Sequence, residues 1–171
     1  VSFVATNRDA SAVSGRRTPY IADLLCALID APEPVVGIIN SDLVFEPSAA
    51  WREEMLRAVG GAVVTGQRHD ATSLLEGTFR KYYWGFDFFF FDIKAARDLL
   101  ETAMSFAMGL AWWDYWLPAA LSLRGRRVIT LERPTSYFVG LLPHCTSYPI
   151  PKHNVEELGV DWVKPGNIVG N

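Results

Sequence analysis

The stretch Val35 to Pro47, VVGIINSDLVFEP, decides how the rest of the chain is read. Val35, Val36, Ile38 and Ile39 form an apolar run rich in β-branched residues, broken only by Gly37, that passes straight into Asn40, Ser41 and Asp42. Consecutive rather than alternating apolar positions predict a strand buried on both faces, the usual condition of a parallel sheet between helices. In open α/β sheets, ligands bind in the crevice beyond the carboxyl ends of the strands. An acid delivered there, beside an amide and a hydroxyl, suits a hard divalent cation that neutralises phosphate oxygens. Asn, Ser and Asp are equally the residues of turns and caps, so Asp42 could simply close the strand.

Upstream, Val1 to Thr6 reads as a strand, and a polar loop through Ser14, Gly15, Arg16 and Arg17 follows it. Thr18 is the expected N-cap, with Pro19 at the first helical position. Ile21, Leu24, Leu25, Leu28 and Ile29 then recur at helical spacing until Pro32 and Pro34. Strand, helix, strand predicts a right-handed parallel crossover. Downstream, a helix is expected over Ala49 to Val59, closed by Gly60 and Gly61, and then a short strand over Ala62 to Thr65. Gly66 to Tyr83 has no clean period and reads as a long connection with one helical turn around Leu74 and Leu75. Trp84 to Asp92 is an aromatic strand whose last residue caps a helix over Ile93 to Met104. Trp112 to Leu123 is a further helix, Val128 to Leu131 and Tyr137 to Val139 are short strands, and the tail is irregular. The expected architecture is a single α/β domain over residues 1 to 171, a mostly parallel central sheet with helices on both faces.

Half of the residues are hydrophobic and a fifth are charged, a globular composition. A net charge of −3, without a basic tract, argues against nucleic acid as the main partner. No apolar run approaches the roughly 20 residues that span a bilayer. Cys26 and Cys145 show no CxxC spacing, so a reducing cytoplasm is the expected compartment.

Neither a Gly-rich dinucleotide fingerprint nor a GxxxxGK[ST] phosphate loop occurs, and no GxSxG or HExxH is present. What remains is a set of acids that end strands or open helices: Asp42, Asp87 and Asp114. Asp87 lies among rings in GFDFFFFD, where a buried carboxylate needs a partner or a cleft; the alternative is an edge position in water. Asp114, in AWWDYWLP, is either a helix cap among core tryptophans or an acid whose pKa the rings raise beside a wall for a sugar. Arg16 and Arg17 precede a helix N-terminus and suit phosphate, unless they are merely solvated. His144 and His153 flank a Pro-rich loop and could join Asp42 around a metal, although a lone loop histidine usually has no such role.

In their order, these pieces resemble the GT-A class of nucleotide-sugar glycosyltransferases. The matching stretches are RRTPYIADLL (Arg16 to Leu25), VVGIINSDLVFEP at the strand and DxD-like motif, GFDFFFFD at the acceptor-side strand, and GLAWWDYWLPAAL (Gly109 to Leu121) at the catalytic-acid helix. The resemblance runs over roughly residues 7 to 153. It implies a glycosyltransferase that moves a sugar from a nucleotide-sugar donor to a glycan or other hydroxyl acceptor. Asp42 would hold a divalent cation, Mn²⁺ or Mg²⁺, with His144 or His153 as a C-terminal ligand. Asn40 would shape that turn, Arg16, Arg17 and Asp23 would lie near the nucleotide, and Asp87 would face the acceptor side. Asp114 would be the catalytic base, with Trp112 and Trp113 as the sugar-facing wall. Two departures stand out: the triplet is Asn-Ser-Asp, with one carboxylate where two are common, and the first strand of the fold is unmatched. The alternatives are a non-catalytic GT-A-like fragment, or a carbohydrate-binding or scaffold module. A nucleotidyltransferase is more distant, for want of a Gly-rich triphosphate loop.

Overall fold

The computed structural model describes residues 5–6, 8–15, 17–40, 43–45, 49–71, 80–81, 85–103, 106–110, 112–131 and 136–139. In chain order its elements are α1 (Ser11–Ser14), α2 (Ile21–Ile29), β1 (Val35–Ile39), β2 (Val44–Phe45), α3 (Ala49–Ala58), β3 (Ala62–Gly66), β4 (His69–Ala71), β5 (Arg80–Lys81), β6 (Phe88–Asp92), α4 (Ile93–Leu100), α5 (Trp113–Leu123), β7 (Arg127–Leu131) and β8 (Ser136–Val139). The main sheet has four strands in the order β1-β6-β3-β7. A second four-stranded sheet, β2-β8-β4-β5, grows from the loops at one edge of the first.

This is an α/β fold, but the sheet is mostly antiparallel rather than mostly parallel. β6 runs antiparallel to both β1 and β3, and only β3 and β7 pair in parallel. An apolar run records burial and not the direction of the neighbouring strand, and β1 itself, at the sheet edge, is buried at Val36 and Ile38 but only half-buried at Val35 and exposed at Ile39, so the burial on both faces expected of it is not found. Helices do cover both faces. On one side α2, α4 and α5 bury Leu25, Leu99, Trp113, Trp116 and Leu117 against Val36, Ile38, Val63, Phe89 and Phe91. On the other side Met55 and Val59 at the end of α3 pack on Val64, with Trp51, Phe90 and Ile129 around them.

The aromatic strand β6 is the centre of this arrangement, because its alternate rings feed opposite layers. Phe89 and Phe91 enter the three-helix side, whereas Phe90 meets Trp51 edge to face with ring centroids 5.7 Å apart. Phe90 also lies opposite Gly37 in the β1–β6 register. A Cβ on Gly37 would collide with the Phe89 carbonyl oxygen and come within 2.7 Å of the Phe90 ring. Gly37→Ala is therefore expected to cost about 1–3 kcal/mol, the usual range for overpacking a closed core. Thermal unfolding checks this, and an unchanged midpoint would mean that the two strands can part at that position.

Three local expectations are corrected. The N-cap of α2 is Tyr20, without a side-chain cap bond, rather than Thr18. Tyr20 is held extended by a bridge to Ala107, which delays the helix. α4 ends at Leu100 rather than Met104, where the Thr102 N–H turns back to the Leu99 carbonyl. Within Gly66 to Tyr83, the described residues form β4 and β5 rather than an irregular connection, and Leu74 and Leu75 lie outside them. The expected strand at the chain start likewise falls largely outside the described residues. The Asp92 cap of α4 is present: its Oδ1 accepts from the Ala95 N–H at 2.7 Å, while Oδ2 takes Arg126 Nη1 at 3.0 Å.

Candidate functional site at the carboxyl edge of the sheet

Because β1, β3 and β7 share one direction and β6 the opposite, one edge of the sheet collects three strand carboxyl ends and the amino end of β6. Asn40 follows β1 there, Gln67 and Arg68 follow β3, and Asp87 precedes β6. Backbone pairing continues one step past the strands, with Asn40 N–H donating to the Asp87 carbonyl and Asp87 N–H donating to the Gly66 carbonyl, both at 3.0 Å. The side chains then close the edge. Asp87 Oδ1 accepts from Arg68 Nη1 at 2.9 Å and from Asn40 Nδ2 at 3.2 Å, and Oδ2 accepts from the Arg68 N–H at 2.9 Å. Asp87 is only 3% exposed and Arg68 6%.

Asp114 joins the same edge from α5. The residues just before β6 reach across to the start of that helix. Asp114 Oδ2 accepts from the Phe86 N–H at 3.2 Å, and the Tyr115 hydroxyl accepts from the Gly85 N–H at 2.7 Å. Gly85 has φ +75, and any Cβ there would strike Asp114 Oδ2. Only glycine gives both the left-handed backbone and the room for the carboxylate. Burial pushes the Asp114 pKa up to about 6; the backbone donors of Phe86, Asp114 and Tyr115 oppose the rise, and the Asp87 charge adds to it. A carboxyl group poised near 6 can take and give a proton at neutral pH, which an ordinary aspartate does poorly.

The two tryptophans part company. Trp113 is 4% exposed and meets Phe89 edge to face at 5.4 Å, so its ring belongs to the core and offers no face to a ligand. The reason is periodicity: positions 113, 116, 117, 120 and 121, with Pro118 beside them, form the buried side of α5. Trp112 stands just ahead of that stripe as the N-cap, with φ +80, its ring 5.6 Å from Tyr115. A left-handed conformation costs a non-glycine residue roughly 1–2 kcal/mol, and Trp112 in it is half-buried where Trp113 is buried.

Asp23 lies in the first turn of α2, bonded by Arg8 Nε at 2.9 Å, and that guanidinium also sits 4.9 Å from the Tyr20 ring centre. Arg17 is exposed. Among the described residues, no hydrogen bond or ion pair joins Arg17 or Asp23 to the Asn40–Asp87–Asp114 edge. Their segment does run beside the approach to α5, since the Phe106 carbonyl accepts from the Ile21 N–H at 2.7 Å and the Pro19 carbonyl from the Met108 N–H at 2.9 Å. Arg16, Asp42, His144 and His153 lie outside the described residues. Among those described, no group of three His, Cys, Asp or Glu side chains could hold a metal ion. Nor is any helix there long and apolar enough to cross a membrane.

Comparison with known proteins gives only short matches. No family model matches the chain, and no solved structure does. A stretch of 43 residues, 25% of this chain, is 46% identical to the periplasmic oligopeptide-binding protein OppA of Escherichia coli strain K12. The same identity and length are found with OppA of Salmonella typhimurium, and 44% with the periplasmic murein peptide-binding protein MppA of Escherichia coli. Each match spans 8% of the length of its relative.

Sequence reading missed four members of this edge: Gln67, Arg68, Gly85 and Tyr115. Arg68 carried one usable signal, a cation just beyond a mostly apolar strand, but its pairing with Asp87 depends on β3 lying next to β6. Gln67 Nε2 donates to the Gly85 carbonyl at 3.3 Å for the same topological reason.

Proposed function

We propose that this chain is a glycosyltransferase domain that moves a sugar from a nucleotide-sugar donor to an acceptor hydroxyl. The observation that carries this reading is the meeting of Asp114, its pKa raised to about 6, with the Asn40–Arg68–Asp87 cluster at the edge where strand carboxyl ends converge. In this reading Asp114 takes the proton from the acceptor hydroxyl as that oxygen attacks the anomeric carbon. The bond from that carbon to the nucleoside diphosphate breaks, and the diphosphate leaves with the bonding electrons. Trp112 offers the aromatic surface on which a sugar ring stacks. A divalent cation, held by Asp42 with His144 or His153, would neutralise the leaving diphosphate. Two cysteines without CxxC spacing, one of them the exposed Cys26, suit a reducing compartment such as the cytoplasm.

A second reading is a module that binds a glycan or peptide without turning it over, and the short matches to peptide-binding proteins favour it. One screen separates the two. The thermal midpoint of the chain is measured with UDP, GDP, CMP and their sugar conjugates, with and without Mn²⁺, and with a tripeptide and a glycan in parallel. A ligand that binds only the folded state raises its stability, by roughly 2.7 kcal/mol at a hundred times its Kd. A metal-dependent shift for one nucleotide is expected. A shift for the peptide or glycan alone would overturn the transferase reading.

A further inference from the structure

Asp87 stands at the amino end of β6, the strand that lies between β1 and β3. Its carboxylate reaches the residue after β1 on one side and a residue after β3 on the other. An ionised carboxylate has about four acceptor positions, and three of these are taken by internal donors. With 3% exposure, little of it is left for a substrate to meet. Stability alone is a poor reason for such a group, because a desolvated Arg–Asp pair is often no more stabilising than apolar side chains of the same volume. What apolar side chains would not do is fix the strand ends at one hydrogen-bonded spacing. The Asn40 carbonyl in turn accepts from the Leu43 N–H at 3.3 Å.

We infer that Asp87 is the positioning residue of this site: it sets Asn40 against Arg68 across β6, and through the Asn40 carbonyl it holds the Leu43 amide. It thus acts through its neighbours rather than by touching the acceptor. The anchoring follows from geometry alone, whereas the role of Asp42 in holding a cation rests on the transferase reading.

Amide hydrogen exchange in the full chain tests the anchoring without any ligand. Asn40→Ala removes one bond but keeps the buried Arg68–Asp87 pair, and Asp87→Asn alters the anchor itself. Each is expected to speed exchange at the Leu43 amide about tenfold relative to amides inside β1, a local rather than global opening. The double variant is expected to be no faster than the quicker single one, because both act through one linkage. Rates that multiply in the double variant, a Leu43 amide untouched by Asn40→Ala, or acceleration spread evenly over β1 would each overturn the proposal. Should Asp87→Asn fail to fold, the Leu43 amide in Asn40→Ala decides alone. A second arm measures the Mn²⁺ dependence of UDP binding. There Asp87→Asn is expected to raise the Mn²⁺ requirement at least about tenfold if Asp42, two residues beyond Asn40 in the sequence, is the metal ligand of the transferase reading. If the unaltered chain shows no Mn²⁺-dependent UDP binding, the transferase reading fails, and the exchange rates still decide the anchoring.

Discussion

Asp87→Ala is expected to lower the stability of the chain by about 3–5 kcal/mol, seen as a lower urea midpoint at an unchanged slope. The loss comes less from the missing bonds than from what they leave behind. The Arg68 guanidinium is paired at 2.9 Å with a side-chain exposure of 8%, and arginine does not shed its proton to escape burial. Removing the carboxylate strands that charge in a medium that solvates it badly. Whole domains are stable by only about 5–15 kcal/mol, so one substitution would consume much of the margin. Two comparisons isolate the cause. Arg57 and Glu53 form an i,i+4 pair with side chains 76% and 73% exposed, and breaking it is expected to change stability by at most about 0.5 kcal/mol. Replacing Arg68 and Asp87 together by Met and Leu is expected to recover most of the loss, since no charge is then left buried. A loss below about 1 kcal/mol for Asp87→Ala would mean that water reaches the guanidinium.

The contrast between these pairs explains which parts of the molecule could be read from sequence. Patterns local in the chain carried over: a strand over Val35 to Ile39, the helical spacing from Ile21 to Ile29, the Asp92 cap of α4 and a helix ending at Leu123 lie where the local sequence put them. Patterns that depend on which strands are neighbours did not. VVGII and FFFFD are both apolar runs, yet only the second is a central strand covered on both faces, and neither states the direction of the strand alongside. The partner of Asp87 was demanded by the cost of a buried acid, yet Arg68 could be named only once β3 lay beside β6. The two tryptophans of AWWDYW look alike in sequence, and a single step around the helix start separates a core ring from an N-cap residue at φ +80. Thr18 has the right chemistry for a cap, but pairing of Tyr20 with Ala107 overrode it, a tertiary contact outweighing a local preference.

Asp114→Asn should distinguish a working acid from a structural one, because activity and stability are expected to move in opposite directions. Burial is the largest influence on Asp114 and holds its pKa at about 6, whereas an aspartate in an unfolded chain releases its proton near 4. Between those values the folded state binds the extra proton, so the contribution of this group to stability falls as pH rises from about 4 to 6 and stays low above that. A gap of two pH units corresponds to an upper figure of about 3 kcal/mol. Asparagine has no charge to desolvate, and its carbonyl oxygen can still accept from the Phe86 N–H. The variant is therefore expected to be more stable than the unaltered chain at pH 7, by up to about 2–3 kcal/mol, and to lose that advantage near pH 4. As the base of the proposed transfer, Asp114 must be ionised to act, so kcat/KM should rise with pH about a midpoint near 6. In Asp114→Asn the rate should fall roughly 100- to 10,000-fold and that acid limb should vanish. Urea unfolding at pH 4 and pH 7, beside transfer rates over the same range, gives both readings. Greater stability with lost transfer would mark Asp114 as a group kept in a costly place for its chemistry. A variant that is less stable at pH 7 would instead make it a cap that ties α5 to the Gly85–Phe86 turn, and the base would have to be sought elsewhere on the same edge.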